Sequence, residues 1–77
     1  MGGVPRPTPC FLDQMEPCGA PDGRKRWRNH NHDRYYTWDD VHGHIEVFNK
    51  RGRHIGALDA VTGELIGDAV PGRRIDV

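Results

Sequence analysis

His44-Ile45-Glu46-Val47-Phe48-Asn49-Lys50-Arg51-Gly52-Arg53-His54-Ile55-Gly56-Ala57-Leu58 reads as two short strands joined by a turn, and that reading decides the fold. The first run alternates polar and apolar residues from His44 to Val47 before Phe48 joins the polar set, the period of a half-buried strand. Asn49 to Gly52 is a hairpin turn in which Gly52 can take positive φ. Residues 53–58 return. Working outward, Arg34-Tyr35-Tyr36-Thr37-Trp38 is rich in β-formers. Asp59-Ala60-Val61-Thr62-Gly63 is a second turn, and Glu64-Leu65-Ile66 is a further short strand. Residues 69–75, interrupted by Pro71-Gly72, offer an edge. Strands at this spacing predict a twisted antiparallel sheet.

Upstream, Pro5, Pro7 and Pro9 suit an extended stretch and preclude a regular helix. Residues 11–16 can form one helical turn or two, with Phe11, Leu12 and Met15 sharing one face at helical spacing, and Pro17 and the Gly19–Gly23 segment end it. The expected fold is mainly β (α+β): a short N-terminal helix packed on a highly twisted antiparallel sheet. Residues 1–22 are expected to be a Pro-rich lead-in and residues 23–77 the domain. Seventy-seven residues hide only about 60% of the unfolded chain's surface, so the core must be thin. No apolar run approaches the roughly 20 residues of a membrane helix. Residues 1–5 lack the basic and apolar regions of a signal peptide.

Eleven Lys+Arg against eleven Asp+Glu give zero formal charge, whereas a small nucleic-acid binder is usually basic. The charge is uneven along the chain. Arg6 against Asp13, Glu16 and Asp22 leaves the lead-in at −2, and the rest carries +2. Arg24, Lys25, Arg26 and Arg28 head the domain, followed by Tyr35, Tyr36 and Trp38. Cations interleaved with aromatics fit single-stranded RNA, whose phosphates pair with Arg and Lys while bases stack on rings. Trp27, Tyr36 and Trp38 equally fit the core of a small domain with little else large to bury.

Residues 38–46 concentrate the titratable groups: Asp39, Asp40, His42, His44 and Glu46. On a strand from Gly43, His42, His44 and Glu46 would share a solvent-facing side while Ile45 and Val47 bury. Imidazole and carboxylate can then divide proton transfers near neutral pH. A flat strand would hold His42 and Glu46 about 13 Å apart, so a coil or a bulge, easiest at Gly43, is needed. His42 and His44 with Glu46 or Asp39 could instead chelate zinc, and His30 and His32 form a second pair. Neither pair has the partners at the spacing of a structural zinc site. No metal and no cofactor is expected. Cys10 and Cys18 can bridge or stay as thiols.

From Lys25 to Ile75 the chain resembles the cytotoxic ribonuclease domain of the ribosome-inactivating colicins and cloacin. The matching pieces are Lys25-Arg26-Trp27, then Tyr36-Thr37-Trp38-Asp39-Asp40-Val41-His42-Gly43-His44-Ile45-Glu46-Val47-Phe48. His54-Ile55-Gly56, Asp59 to Gly63 and Pro71-Gly72-Arg73-Arg74-Ile75 follow in order. The resemblance implies a metal-independent endoribonuclease toxin that cuts small-subunit ribosomal RNA at the decoding site and stops translation. It implies Asp39, His42, Glu46 and Arg73 as the catalytic set, with Glu46 or His44 as base, since the position of His44 carries an acid in the family. It further implies a monomer delivered by a producer into a target cell's cytoplasm, with ribosomal RNA and a cognate immunity protein as partners and no membrane. The neutral charge leaves tRNA as an alternative target. A non-catalytic RNA-binding module and a metal-dependent nuclease are the rival readings.

Overall fold

The computed structural model describes residues 3–21 and 23–77. A single 3₁₀ turn, Phe11–Gln14, precedes six strands: β1 (Glu16–Pro17), β2 (Arg26–Arg28), β3 (Arg34–Asp39), β4 (His44–Asn49), β5 (His54–Leu58) and β6 (Leu65–Gly67). They form one sheet in chain order, each antiparallel to its neighbour. The hairpins of residues 34–58 lie where the hydrophobic alternation puts them.

One face of the sheet holds the core. Tyr36 pairs with Val47 and Trp38 with Ile45, and side chains of paired residues lie on the same face. Ile45, Val47, Tyr36 and Trp27 pack there with Cys10 and Leu12 from the lead-in. Leu12 and Ile45 are fully buried, a burial that stabilises by about 1.5–3 kcal/mol per side chain. Phe11 and Met15 pack against the same cluster. The expected contacts of Phe11, Leu12 and Met15 are therefore present, but the expected helix is only one 3₁₀ turn. Cys10 and Met15 on either side are extended. The Phe11 N–H donates to Ala60 O at 2.7 Å, and the chain must enter β1 by Glu16. That leaves no room for a second turn. The expected boundary after Asp22 falls on a residue outside those described, as do Met1 and Gly2.

The opposite face carries Arg26, Thr37, Asp39, His44, Glu46, Phe48 and His54, linked by the register pairs of β2 to β5. Residues 70–76 cross over it. The backbone N–H of His54 donates to Arg73 O (3.0 Å), the N–H of Ile75 to Gly52 O (2.8 Å), and Arg26 Nη1 to Asp76 O (2.7 Å). The anticipated edge strand over 69–75 reduces to one bridge, Arg53 with Arg74, because Pro71 offers no N–H to a ladder. Gly52 makes the crossing possible. Its φ is +84°, and a Cβ there would sit 2.2 Å from Ile75 O.

Candidate active site

Glu46 lies in the middle of β4 with its side chain only 7% exposed. A buried carboxylate is costly unless paired, and this one is paired on both oxygens. Oε1 accepts from Arg73 Nη1. Oε2 is 3.3 Å from His44 Nε2 and 3.3 Å from His54 Nε2. The strand therefore buries on both faces, contrary to the expected solvated side for Glu46. The C-terminal crossing lowers Arg73 onto it, and Glu46 becomes the floor of a groove whose wall, Arg73, stays half-exposed.

Asp39 ends β3 and organises the turn that follows. Its Oδ1 accepts the N–H groups of Val41 (3.0 Å) and His42 (3.2 Å), an Asx turn. Gly43, at φ +70°, closes it by donating to Asp39 O at 2.8 Å. The bulge anticipated at Gly43 is thus a turn; register shifts occur between Val47 and Phe48 and between Ala57 and Leu58. His42 leaves the strand and folds over His44, the two rings stacked with centroids 5.4 Å apart and planes at 13°. His42 and Glu46 thereby line one groove, with His44 between them.

Asp39 Oδ2 is 2.8 Å from His42 Nδ1 and 3.2 Å from His44 Nε2. Burial alone would raise the Asp39 pKa. Hydrogen bonds from the His42 ring and from the backbone N–H groups of His42 and Val41 outweigh it and hold the carboxyl below its usual range. Asp39 therefore stays ionised and fixes which His42 nitrogen faces it. His42 is two-thirds exposed, leaving Nε2 for exchange with a ligand. Asp39, His42, Glu46, Arg73 and Arg74 line one groove of about 460 Å³.

The structure brings all five anticipated catalytic residues together: Asp39, His42, His44, Glu46 and Arg73. Asp39, His42 and His44 also place three ligand atoms within 4.8 Å of one another and could hold a metal ion. The other pair is dispersed, with His30 against Gln14 O (3.0 Å) and His32 3.6 Å from Glu16. Cys10 and Cys18 are free thiols.

The anticipated RNA-binding residues divide. Arg24 and Lys25 are exposed, and Lys25 Nζ sits 5.1 Å over the Trp27 ring. Arg26 is 5% exposed, and Tyr36 is buried in the core, so neither offers a surface to RNA. Arg28 is paired with Glu16 at 2.5 Å. Trp38 is half-buried, with Nε1 donating to Val4 O. The residue that sequence reading missed is His54. Its ring is 1% exposed, its Nδ1 accepts the Val70 N–H (2.9 Å), and the proton must therefore sit on Nε2 beside Glu46. That Nε2 lies off the alignment of a hydrogen bond and has no other partner. The hairpin register, which sets His54 opposite Phe48, was the signal that could have found it.

The Cytotoxic family matches residues 15–76. Cloacin of Escherichia coli is 34% identical over 58 residues, covering 74% of this chain. The chain spans about a tenth of the length of that relative. With a sheet, a buried glutamate under an arginine and a His–Asp pair all falling inside the matched span, the chain belongs to the Cytotoxic family, the cytotoxic domains of the colicin and cloacin type.

Proposed function

We propose that this chain is a metal-independent endoribonuclease toxin module that cleaves RNA by attack of a ribose 2′-hydroxyl on the adjacent phosphate. The observation that carries this reading is the convergence of His42 on Asp39 and of Arg73 on Glu46 in one groove. The 2′-oxygen forms a bond to phosphorus as its proton passes to Glu46, and the bond from phosphorus to the 5′-oxygen breaks as His42 protonates the leaving oxygen. A 2′,3′-cyclic phosphate remains. Arg73 neutralises charge growing on the phosphorane, where preorganised donors act most strongly. A phosphate that draws Arg73 toward itself also loosens it from Glu46, freeing Oε1 to accept the proton as substrate arrives. His44, between Asp39 and Glu46, is the alternative base. Arg24 and Lys25 lie beside the groove for flanking phosphates.

The target is small-subunit ribosomal RNA at the decoding site. The partners are the ribosome and a cognate immunity protein, and the setting is delivery from a producer into a target cell's cytoplasm. Cleavage of RNA in EDTA by the unaltered chain, lost in His42→Ala and Glu46→Gln, is the expected result. The cluster of Asp39, His42 and His44 supports one second reading, a metal-dependent nuclease, and abolition of cleavage by the chelator would favour it.

A further inference from the structure

We infer that a second groove, floored by His54 and walled by Arg51, Arg53 and Arg74, binds backbone phosphates of a polynucleotide strand beyond the scissile one. This rests on the nuclease reading for its biological purpose, though not for its chemistry. The groove measures about 580 Å³ and shares Arg73 and Arg74 with the candidate active site. A strand leaving Glu46 would pass directly into it.

Three observations point to an anion. Among the described residues no acid lines this groove, whereas neighbouring grooves contain Asp40, Asp39 with Glu46, or Asp33. Among the described residues, Arg51, Arg53 and Arg74 have no carboxylate partner, whereas Arg28 and Arg73 are each committed to a glutamate. Finally, Arg53 and Arg74 are paired directly across an antiparallel bridge. Like charges directly opposite destabilise a sheet, and a phosphate seated between them would offset that repulsion. An acidic protein surface would supply negative charge as well. A polynucleotide is favoured because the groove continues the one that holds Glu46 and Arg73, so a single strand can occupy both.

The test uses an oligoribonucleotide methylated at every 2′-oxygen, which has no attacking hydroxyl, and measures its affinity for the whole chain over a range of salt. In the triple variant Arg51→Gln, Arg53→Gln, Arg74→Gln the salt slope should fall by about 2, at about 0.7 per single-strand phosphate. Arg34→Gln, beside Asp33 in another groove, is the control and should change it far less. A slope unchanged in the triple variant overturns the proposal. So does a triple variant that keeps its RNA slope and loses affinity for poly-glutamate, which would make the groove a protein-docking surface. Because these arginines are exposed, folding is checked through Arg74→Glu, which should raise the thermal midpoint by creating an opposite-charge pair while weakening RNA binding. Failure of the nuclease reading would appear separately, as unaltered chain that binds the methylated strand but does not cut the unmethylated one.

Discussion

Two arginine clusters sit on this small sheet and behave differently. Arg24 to Arg28 are contiguous in sequence, yet Arg26 and Arg28, on one face of β2, meet different partners: Arg26 lies under the C-terminal crossing and Arg28 pairs with Glu16 across β1. Arg51, Arg53, Arg73 and Arg74 are scattered in sequence, yet the Arg53–Arg74 bridge gathers them along one groove. A charge run in sequence is spread along the strand, and each cation is taken by whatever lies across from it. A charge cluster made by tertiary crossing is not divided, and it meets the titratable groups. Arg24 shares the groove of Glu46, but the second kind supplies Arg73, which pairs with it.

That contrast can be broken most sharply at Arg73. Arg73→Ala should lower RNA cleavage about 10²–10³-fold, the usual cost of one preorganised donor at developing charge. A gel or fluorogenic assay would read it, and a loss under tenfold would demote Arg73 to a structural partner of Glu46. Arg26→Ala should act in the opposite sense. Loss of its buried hydrogen bond to Asp76 O should cost about 1–3 kcal/mol of stability. The salt slope for methylated RNA should stay as it was; a reduced slope would return Arg26 to the RNA-binding set.

Smaller effects sharpen the same division. Arg28→Ala should cost less than about 1 kcal/mol, as exposed ion pairs do. The Glu16 pKa, held low first by its hydrogen bond to Arg28, should move back up toward the usual range in an NMR titration. The smallest expected change concerns acid stability. Because Asp39 is depressed on folding, the stability it contributes is complete above its unfolded pKa of about 3.9. It is lost as pH falls through the folded value. Asp39→Asn should therefore lose its stability deficit relative to the unaltered chain as pH falls below about 4, measured by thermal melts across that range.

The hairpins of β3 to β5 were legible because alternation and turn residues agreed: Ile45 and Val47 bury on one face, and Gly52 turns. β1 was not, since Glu16-Pro17 is two residues with a proline and forms only as an edge against β2. β2 was hidden inside what read as a basic patch. The helix around Leu12 is held to one 3₁₀ turn, because Met15 must already be extended to enter β1, which periodicity does not show. At the site, residue types marked Asp39, His42, His44, Glu46 and Arg73. The burial of Glu46 and the presence of His54 depend on a crossing by residues 70–76 that local sequence does not encode.

In the proposed reaction Glu46, His42 and Arg73 act on one phosphodiester. The most direct measurement incubates the chain with intact ribosomes in EDTA and identifies the chemical group on each new RNA end. One cut in small-subunit RNA bearing a 2′,3′-cyclic phosphate, absent with Glu46→Gln, is the expected result. Ends bearing a 5′-phosphate, or cleavage that survives Glu46→Gln unchanged, would contradict it.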